Sequence, residues 1–251
     1  MIHYHGLPLW PTEAMLRAIR GRHAMVSFER PEQIEAAVEI CQSVSLDNGS
    51  FSAWRNNKPY DFAGYYEWAG HWLKHPAVDW AVIPDVIGID DSGQAADYND
   101  RLLNQWPHGQ RGVPVWHLHE PLDRLQRLAR NWLRVALGSS GRYAEPGSKS
   151  WWERMSNVMR IVTDEEGMPR TKLHGLRMLD PVIFSHIPFA SADSCNVARN
   201  IGIDSAWRGT YAPASQWVRA LVMMDRIEAH AAAHRWSRES AGVQHNMELI
   251  G

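Results

Sequence analysis

Short β-like runs alternate with longer helix-like stretches along 251 residues, and this alternation predicts an α/β protein, specifically a (β/α)8 barrel. Three observations carry the prediction. The apolar stripes between the runs supply the crossover helices that parallel strands require. The candidate strands number eight, which suits a closed sheet better than an open one. No internal repeat, low-complexity tract or long linker divides the chain, so it reads as one domain over residues 1–251.

The strands are expected at Ile2–Gly6, Ala24–Phe28, Val44–Asp47, Trp80–Pro84, Val113–His117, Arg134–Gly138, Lys172–Leu176 and Pro188–Ser191. Between them, Pro31 opens a stripe of Ile34, Ala37, Val38 and Cys41, since proline suits a first helical turn. Phe62, Tyr65, Tyr66, Ala69, Trp72 and Leu73 repeat at helical spacing before Pro76. Leu122, Leu125, Leu128 and Ala129 follow Pro121 in the same way, and Trp151, Met155, Val158, Met159 and Val162 form a further stripe. A C-terminal helix is expected over about 213–234.

Hydrophobic residues make up 45% and charged residues 22%, enough apolar material for a sizeable core. No run approaches the roughly 20 apolar residues of a membrane span. Met1-Ile2-His3-Tyr4-His5 lacks the basic and apolar regions of a signal peptide, so a soluble, cytoplasmic protein without membrane contact is expected (host cytoplasm if phage-encoded). Cys41 and Cys195 form no CxxC pair and are expected to be buried, reduced thiols. A net charge of −2 argues against a broad nonspecific nucleic-acid surface, because phosphate contacts need Lys and Arg, but it leaves room for a local basic groove. The 13 Trp are an excess, mostly core by expectation, with some available as stacking surfaces.

Active sites of such barrels sit at the C-terminal ends of the strands. Polar residues fall there regularly: Asp47-Asn48-Gly49-Ser50, Pro84-Asp85, His117-Leu118-His119-Glu120, Gly138-Ser139-Ser140-Gly141, His174-Gly175 and Ser191-Ala192-Asp193-Ser194. Each has a structural alternative. Asp47 serves equally as a turn residue, Asp85 as a helix cap or ion-pair partner, and Asp193 as the cap of the next helix. Three carboxylates at one mouth exceed what capping explains, and their mutual repulsion suits acid, base and nucleophile roles. The glycine-rich run lets backbone N–H groups approach a base or phosphate; its alternative is an ordinary loop.

Asp47-Asn48-Gly49-Ser50-Phe51, Pro84-Asp85, Gly138-Ser139-Ser140-Gly141, His174-Gly175-Leu176 and Ser191-Ala192-Asp193-Ser194, in that order, resemble the tRNA-guanine transglycosylase superfamily. More narrowly they resemble its deazapurine DNA-modification branch, found in phages and bacterial modification clusters. The likeness spans about residues 44 to 210. It implies a TIM-type barrel and a double displacement. Asp193 matches the nucleophile that attacks the sugar's anomeric carbon, and Asp47 the general acid/base. Phe51 matches the aromatic that stacks on the base, and Asp85 the carboxylate that accepts its N–H donors. Gly138 and Ser139 match the base-contacting loop, and His174-Gly175 the element preceding the nucleophile. His117 stands where relatives carry a base-binding glutamine.

The tRNA-acting members carry a three-cysteine, one-histidine zinc site beyond the barrel. This chain lacks those cysteines, and its loop reads Asp-Asn-Gly-Ser rather than Asp-Ser-Gly-Gly. The expected partners are therefore nucleic acid, DNA ahead of tRNA, and a free 7-deazaguanine base, with an oligomer or a partner subunit that delivers the nucleic acid. No cofactor is expected; zinc is not signalled by the cysteines. Arg142, Lys149, Arg199, Trp207 and Arg208 are candidates for a phosphate-binding rim, with a solvated charged surface as the equal alternative. The target base must be flipped or single-stranded.

Two rivals stand beside this reading. A metal-dependent hydrolase would use the HxH pairs His3/His5 and His117/His119 with His174 and Asp193, because strand alternation sets both histidines of a pair on one face. A non-catalytic nucleic-acid-binding barrel is disfavoured by the near-neutral charge.

Overall fold

In a computed structural model the protein is described over residues 1–86, 94–203, 207 and 212–237. The fold is α/β. Strands β1 (Ile2–Leu7), β2 (His23–Ser27), β3 (Ser43–Asp47), β4 (Val78–Val82), β5 (Gly112–Val113), β6 (Val115–His117), β7 (Arg134–Gly138), β8 (Lys172–Leu176) and β9 (Ser191–Ser194) form one sheet. Its hydrogen-bonded order is β5-β4-β3-β2-β1-β9-β8-β7-β6. Pairing is parallel from β1 through β4 and from β6 through β9. The first and last strands of that order are separated in the chain by Pro114 alone.

Pro114 explains why the run Val113–His117 is two strands. Proline has no N–H to give the ladder, although its carbonyl still accepts from Ala136 N at 2.9 Å. The last strand also differs from expectation. Pro188-Phe189-Ala190 is not strand: Phe189 N bonds back to Ile187 O, Ala190 N is the first to reach β8, at Leu173 O, and the first residue paired in register is Ser191. Asp193 is consequently a strand residue rather than a loop residue.

The helices are α1 (Thr12–Ala18), α2 (Ile34–Ile40), α3 (Ser50–Arg55), α4 (Phe62–Trp72), α5 (Gln94–Gln105), α6 (Leu122–Asn131), α7 (Lys149–Val162), α8 (Pro181–Phe184), α9 (Asn196–Asn200) and α10 (Gln216–Glu228). The C-terminal helix is shorter than the expected 213–234. Ser215 stands at its N-cap and Pro213 lies outside, its carbonyl accepting from Arg219 Nε. Beyond Glu228 the chain leaves helical geometry, and Ala233 N donates to Phe184 O.

The chain divides into two compact units. The N-terminal unit comprises Ile2–Val82 and Asp193–His230; the central unit comprises Met1, Ile83–Ala192 and the chain from Ala231. In the N-terminal unit the strand residues Ala24, Val26, Val44 and Leu46 are buried with Met15, Ala37 and Tyr65 from the helices. In the central unit Val135, Leu137 and Leu173 are buried with Trp116, Leu125, Leu128, Trp151, Met155 and Met159. The stripe read from Trp151 to Val162 is therefore the buried face of α7. Trp151 and Trp116 are fully buried, so part of the tryptophan excess is core. Burial of a Trp on this scale contributes about 3–5 kcal/mol relative to alanine.

Candidate functional site

The central unit gathers its chemistry at the C-terminal ends of β6 and β7. β6 delivers His117 into a buried position, 4% exposed. The chain then turns tightly, Glu120 N donating to His117 O at 2.8 Å, and α6 begins one residue beyond Pro121. This turn swings Glu120 back onto the histidine. His117 Nδ1 lies 3.3 Å from Glu120 Oε1, and His117 Nε2 lies 3.0 Å from Asp85 Oδ2. Glu120 Oε2 accepts from Arg124 Nη1 at 2.7 Å, one helical turn along α6, and Arg124 Nε reaches Asp100 of α5 at 2.8 Å. A relay of alternating charge thus runs Asp85–His117–Glu120–Arg124–Asp100.

The order of the relay decides the protonation of its histidine. Both ring nitrogens face carboxylates, and only an imidazolium donates from both. Burial by itself pushes the His117 pKa down, but the hydrogen bonds and charges of Asp85 and Glu120 outweigh it and raise it to about 9. Burial likewise pushes Glu120 up, and His117 and Arg124 reverse this, so its carboxyl titrates below its ordinary value. Asn99 of α5 steadies the other end. Its side chain accepts from Val86 N at 2.7 Å and donates to Val86 O at 3.1 Å, fixing the backbone next to Asp85.

The glycine-rich segment lies beside this relay. A Cβ on Gly138 would come 3.1 Å from the His117 ring, so glycine leaves space for the imidazole. Ser139 Oγ accepts from Trp151 Nε1 at 2.9 Å, and Ser140 Oγ lies 2.6 Å from His119 Nδ1. His119 stacks on His117 with centroids 5.7 Å apart. The structure therefore brings together Asp85, His117, His119, Gly138, Ser139 and Ser140. The sequence marks Glu120 only as part of the polar run His117–Glu120, without a role, and Arg124 and Asn99 not at all; the four-residue step from Glu120 to Arg124 was the available signal.

His174 and Gly175 are placed differently. His174 is fully buried with Nδ1 2.9 Å from Ser191 Oγ, which also accepts from Arg134. A Cβ on Gly175 would lie 2.9 Å from Phe189 and Met178, so this glycine serves close packing. Arg142 and Lys149 are exposed in the same unit.

In the N-terminal unit, Asp193 is 6% exposed on β9. Just ahead of α9, whose N-cap residue is Cys195, Ser194 Oγ accepts from Asn196 N at 3.0 Å. A Cβ on Gly6 of β1 would lie 2.6 Å from Cys195 Sγ and 3.2 Å from Ser194 O, so the segment after Asp193 packs closely on this glycine. Asp47 ends β3 and turns the chain, Oδ2 accepting from Gly49 N at 3.2 Å. Gly49 adopts a left-handed φ of 75°, and α3 follows with Phe51 half-buried and 5.7 Å from the ring of exposed Trp54.

Three surface expectations change. Cys195 is exposed rather than buried, because it opens α9 at the surface; Cys41 is partly buried, and burial pushes its thiol up to about 12. Trp207 is 3% exposed beneath the Arg226 guanidinium, so its ring is not an open stacking face. Arg199 is exposed on α9, while Arg208 lies outside the described residues.

The histidines of the HxH pairs have other partners. His5 Nε2 binds Glu228 at 2.8 Å, and Arg22 pairs with the same carboxylate; His3 Nε2 lies 3.1 Å from His230 O. Among the described residues no group of three or more His, Cys, Asp and Glu is arranged to hold a metal ion. No known family's sequence profile matches the chain, and no curated protein matches it.

Proposed function

We propose that this protein is a nucleic-acid guanine transglycosylase that exchanges guanine for a 7-deazaguanine base, in DNA ahead of tRNA. The observation that carries the reading is the position of Asp193: a carboxylate 6% exposed on β9, the strand paired with β8 and its His174-Gly175 element. Asp47 and Asp85 stand at or just beyond the ends of β3 and β4. The sheet order, with its two ends joined through Pro114, supports reading the fold as a (β/α)8 barrel.

In this reading the Asp193 carboxylate attacks C1′ of the target nucleotide. The glycosidic bond breaks, its electron pair leaves on N9 of guanine, and Asp47 supplies the proton. The incoming 7-deazaguanine loses its N9 proton to the same carboxylate and attacks C1′, and Asp193 is released. No electrons are gained or lost overall, so the balance needs no cofactor. Asp85, oriented by His117, accepts the N–H donors of the base. The resemblance gives Gly138 and Ser139 the role of contacting the base and Phe51 that of stacking on it. Arg142, Lys149 and Arg199 supply phosphate contacts.

The test is exchange of radiolabelled guanine into single-stranded DNA, duplex DNA and tRNA. Wild-type protein is expected to incorporate label, and Asp193→Asn to abolish incorporation while keeping its circular dichroism spectrum. Full incorporation by Asp193→Asn would end the proposal.

A further inference from the structure

A second feature of the central unit lies at the opposite ends of its strands. The loop before β7, the residues leading into β8 and the stretch before β9 enclose a cleft of about 820 Å³. Ligand sites commonly span about 300–1,000 Å³. Its walls are tied together: Thr171 Oγ1 donates to Trp132 O at 2.7 Å, and Lys172 N to Leu133 O at 3.1 Å. The chain from Ala231 closes one side, held by Ala233 N to Phe184 O and Trp236 N to Gly167 O.

Three cations line this cleft: Arg130 at the end of α6, Arg170, and Lys172 at the start of β8, all exposed. Arg170 is anchored through Nε to Thr163 O at 3.1 Å. Among the described residues none of the three makes an ion pair, and no Asp or Glu lines the cleft. The other arginines of α6 are paired, Arg124 with Glu120 and Asp100, Arg127 with Asp100 and Asp123. Three like charges around one concavity repel one another, and an anion seated among them reverses that cost. Guanidinium groups favour oxyanions that accept two hydrogen bonds, as phosphate does. Trp132 and Leu133, the latter 70% exposed, add an apolar wall.

We propose that this cleft binds a small ligand carrying a diphosphate, with the phosphates held by Arg130, Arg170 and Lys172. The proposal is independent of base exchange.

Isothermal titration calorimetry with inorganic pyrophosphate, ADP and adenosine tests it. Pyrophosphate and ADP are expected to bind at one site per chain, more weakly as salt rises from about 0.05 to 0.5 M, and adenosine not to bind. Equal affinities would assign the site to the diphosphate alone, and tighter ADP binding to a nucleotide; both support the proposal. Arg130→Gln and Lys172→Gln are each expected to weaken binding about tenfold, and Asp193→Asn to leave it unchanged. Absence of binding by both phosphates overturns the proposal, as does adenosine binding as tightly as ADP. Folded Arg130→Gln and Lys172→Gln proteins that bind like wild type overturn it too. So does single-stranded DNA binding lost in these variants while pyrophosphate fails to bind, which would assign the cations to a polymer.

Discussion

Replacing Glu120 by glutamine should be the most damaging isosteric change in the central unit. Glu120 is buried and accepts from Arg124 at 2.7 Å while facing His117 at 3.3 Å. Removing its charge leaves Arg124, itself buried, with only the partly exposed Asp100. Breaking a buried pair on one side costs about 3–5 kcal/mol, and Glu120→Gln is expected in that range. The pH dependence gives an independent reading. His117 titrates near 9 in the folded protein against an ordinary value of 6.5. A raised histidine contributes fully below the unfolded value, and the contribution disappears as pH rises through the folded one. The difference corresponds to about 3 kcal/mol lost between those limits. Other groups leave this window open. His3 and His23 are lowered by burial and act below 6.5, and the Cys41 thiol acts only above its ordinary value of 9.0. Urea denaturation of wild type should therefore show a falling midpoint across the window. Glu120→Gln should start lower and fall less, with the NMR titration of His117 shifted to lower pH. A loss under about 1 kcal/mol with the His117 titration unmoved would refute the relay.

Three further outcomes follow from local geometry. Gly49→Ala places a Cβ 2.7 Å from Glu29 Cγ at a φ of 75°, and should cost about 1–3 kcal/mol in denaturant. Ser139→Ala removes the acceptor of the buried Trp151 indole, and should cost about 1–3 kcal/mol, with a change in tryptophan emission. Glu228→Gln, by contrast, keeps an acceptor for His5 and disturbs an ion pair that water reaches, so its cost should stay near 1 kcal/mol or below and shrink in high salt.

Much of the fold was legible because its signals are local. Arg134–Gly138 and Lys172–Leu176 are strands over the ranges expected, bounded by turn residues and carrying apolar runs. β9 was misplaced because Pro188-Phe189-Ala190 is apolar enough to mimic a strand, while Phe189 N turns back to Ile187 O and Ala190 N is the first to reach β8. The acids at the strand ends were legible as polar residues after apolar runs. What they do was not: Asp47 does make the turn contact that served as its structural alternative, whereas the first N–H of α9 goes to Ser194 Oγ. The relay went unread because Glu120 and Arg124 resemble an ordinary exposed helix pair. Only the tight turn after His117 shows that this pair is buried. His174 lies in the middle of β8 rather than closing it, and its burial against Ser191 is a tertiary fact that no local pattern carries.

The central claim is covalent attack by Asp193, and mass spectrometry of the trapped intermediate tests it most directly. The protein is incubated with guanine-containing single-stranded DNA, or with tRNA, in the absence of incoming base, then denatured and digested. The predicted result is a peptide containing Asp193 that carries an oligonucleotide missing one guanine, absent from Asp193→Asn. An adduct on another residue, or none with either polymer from a protein that releases guanine, would contradict it.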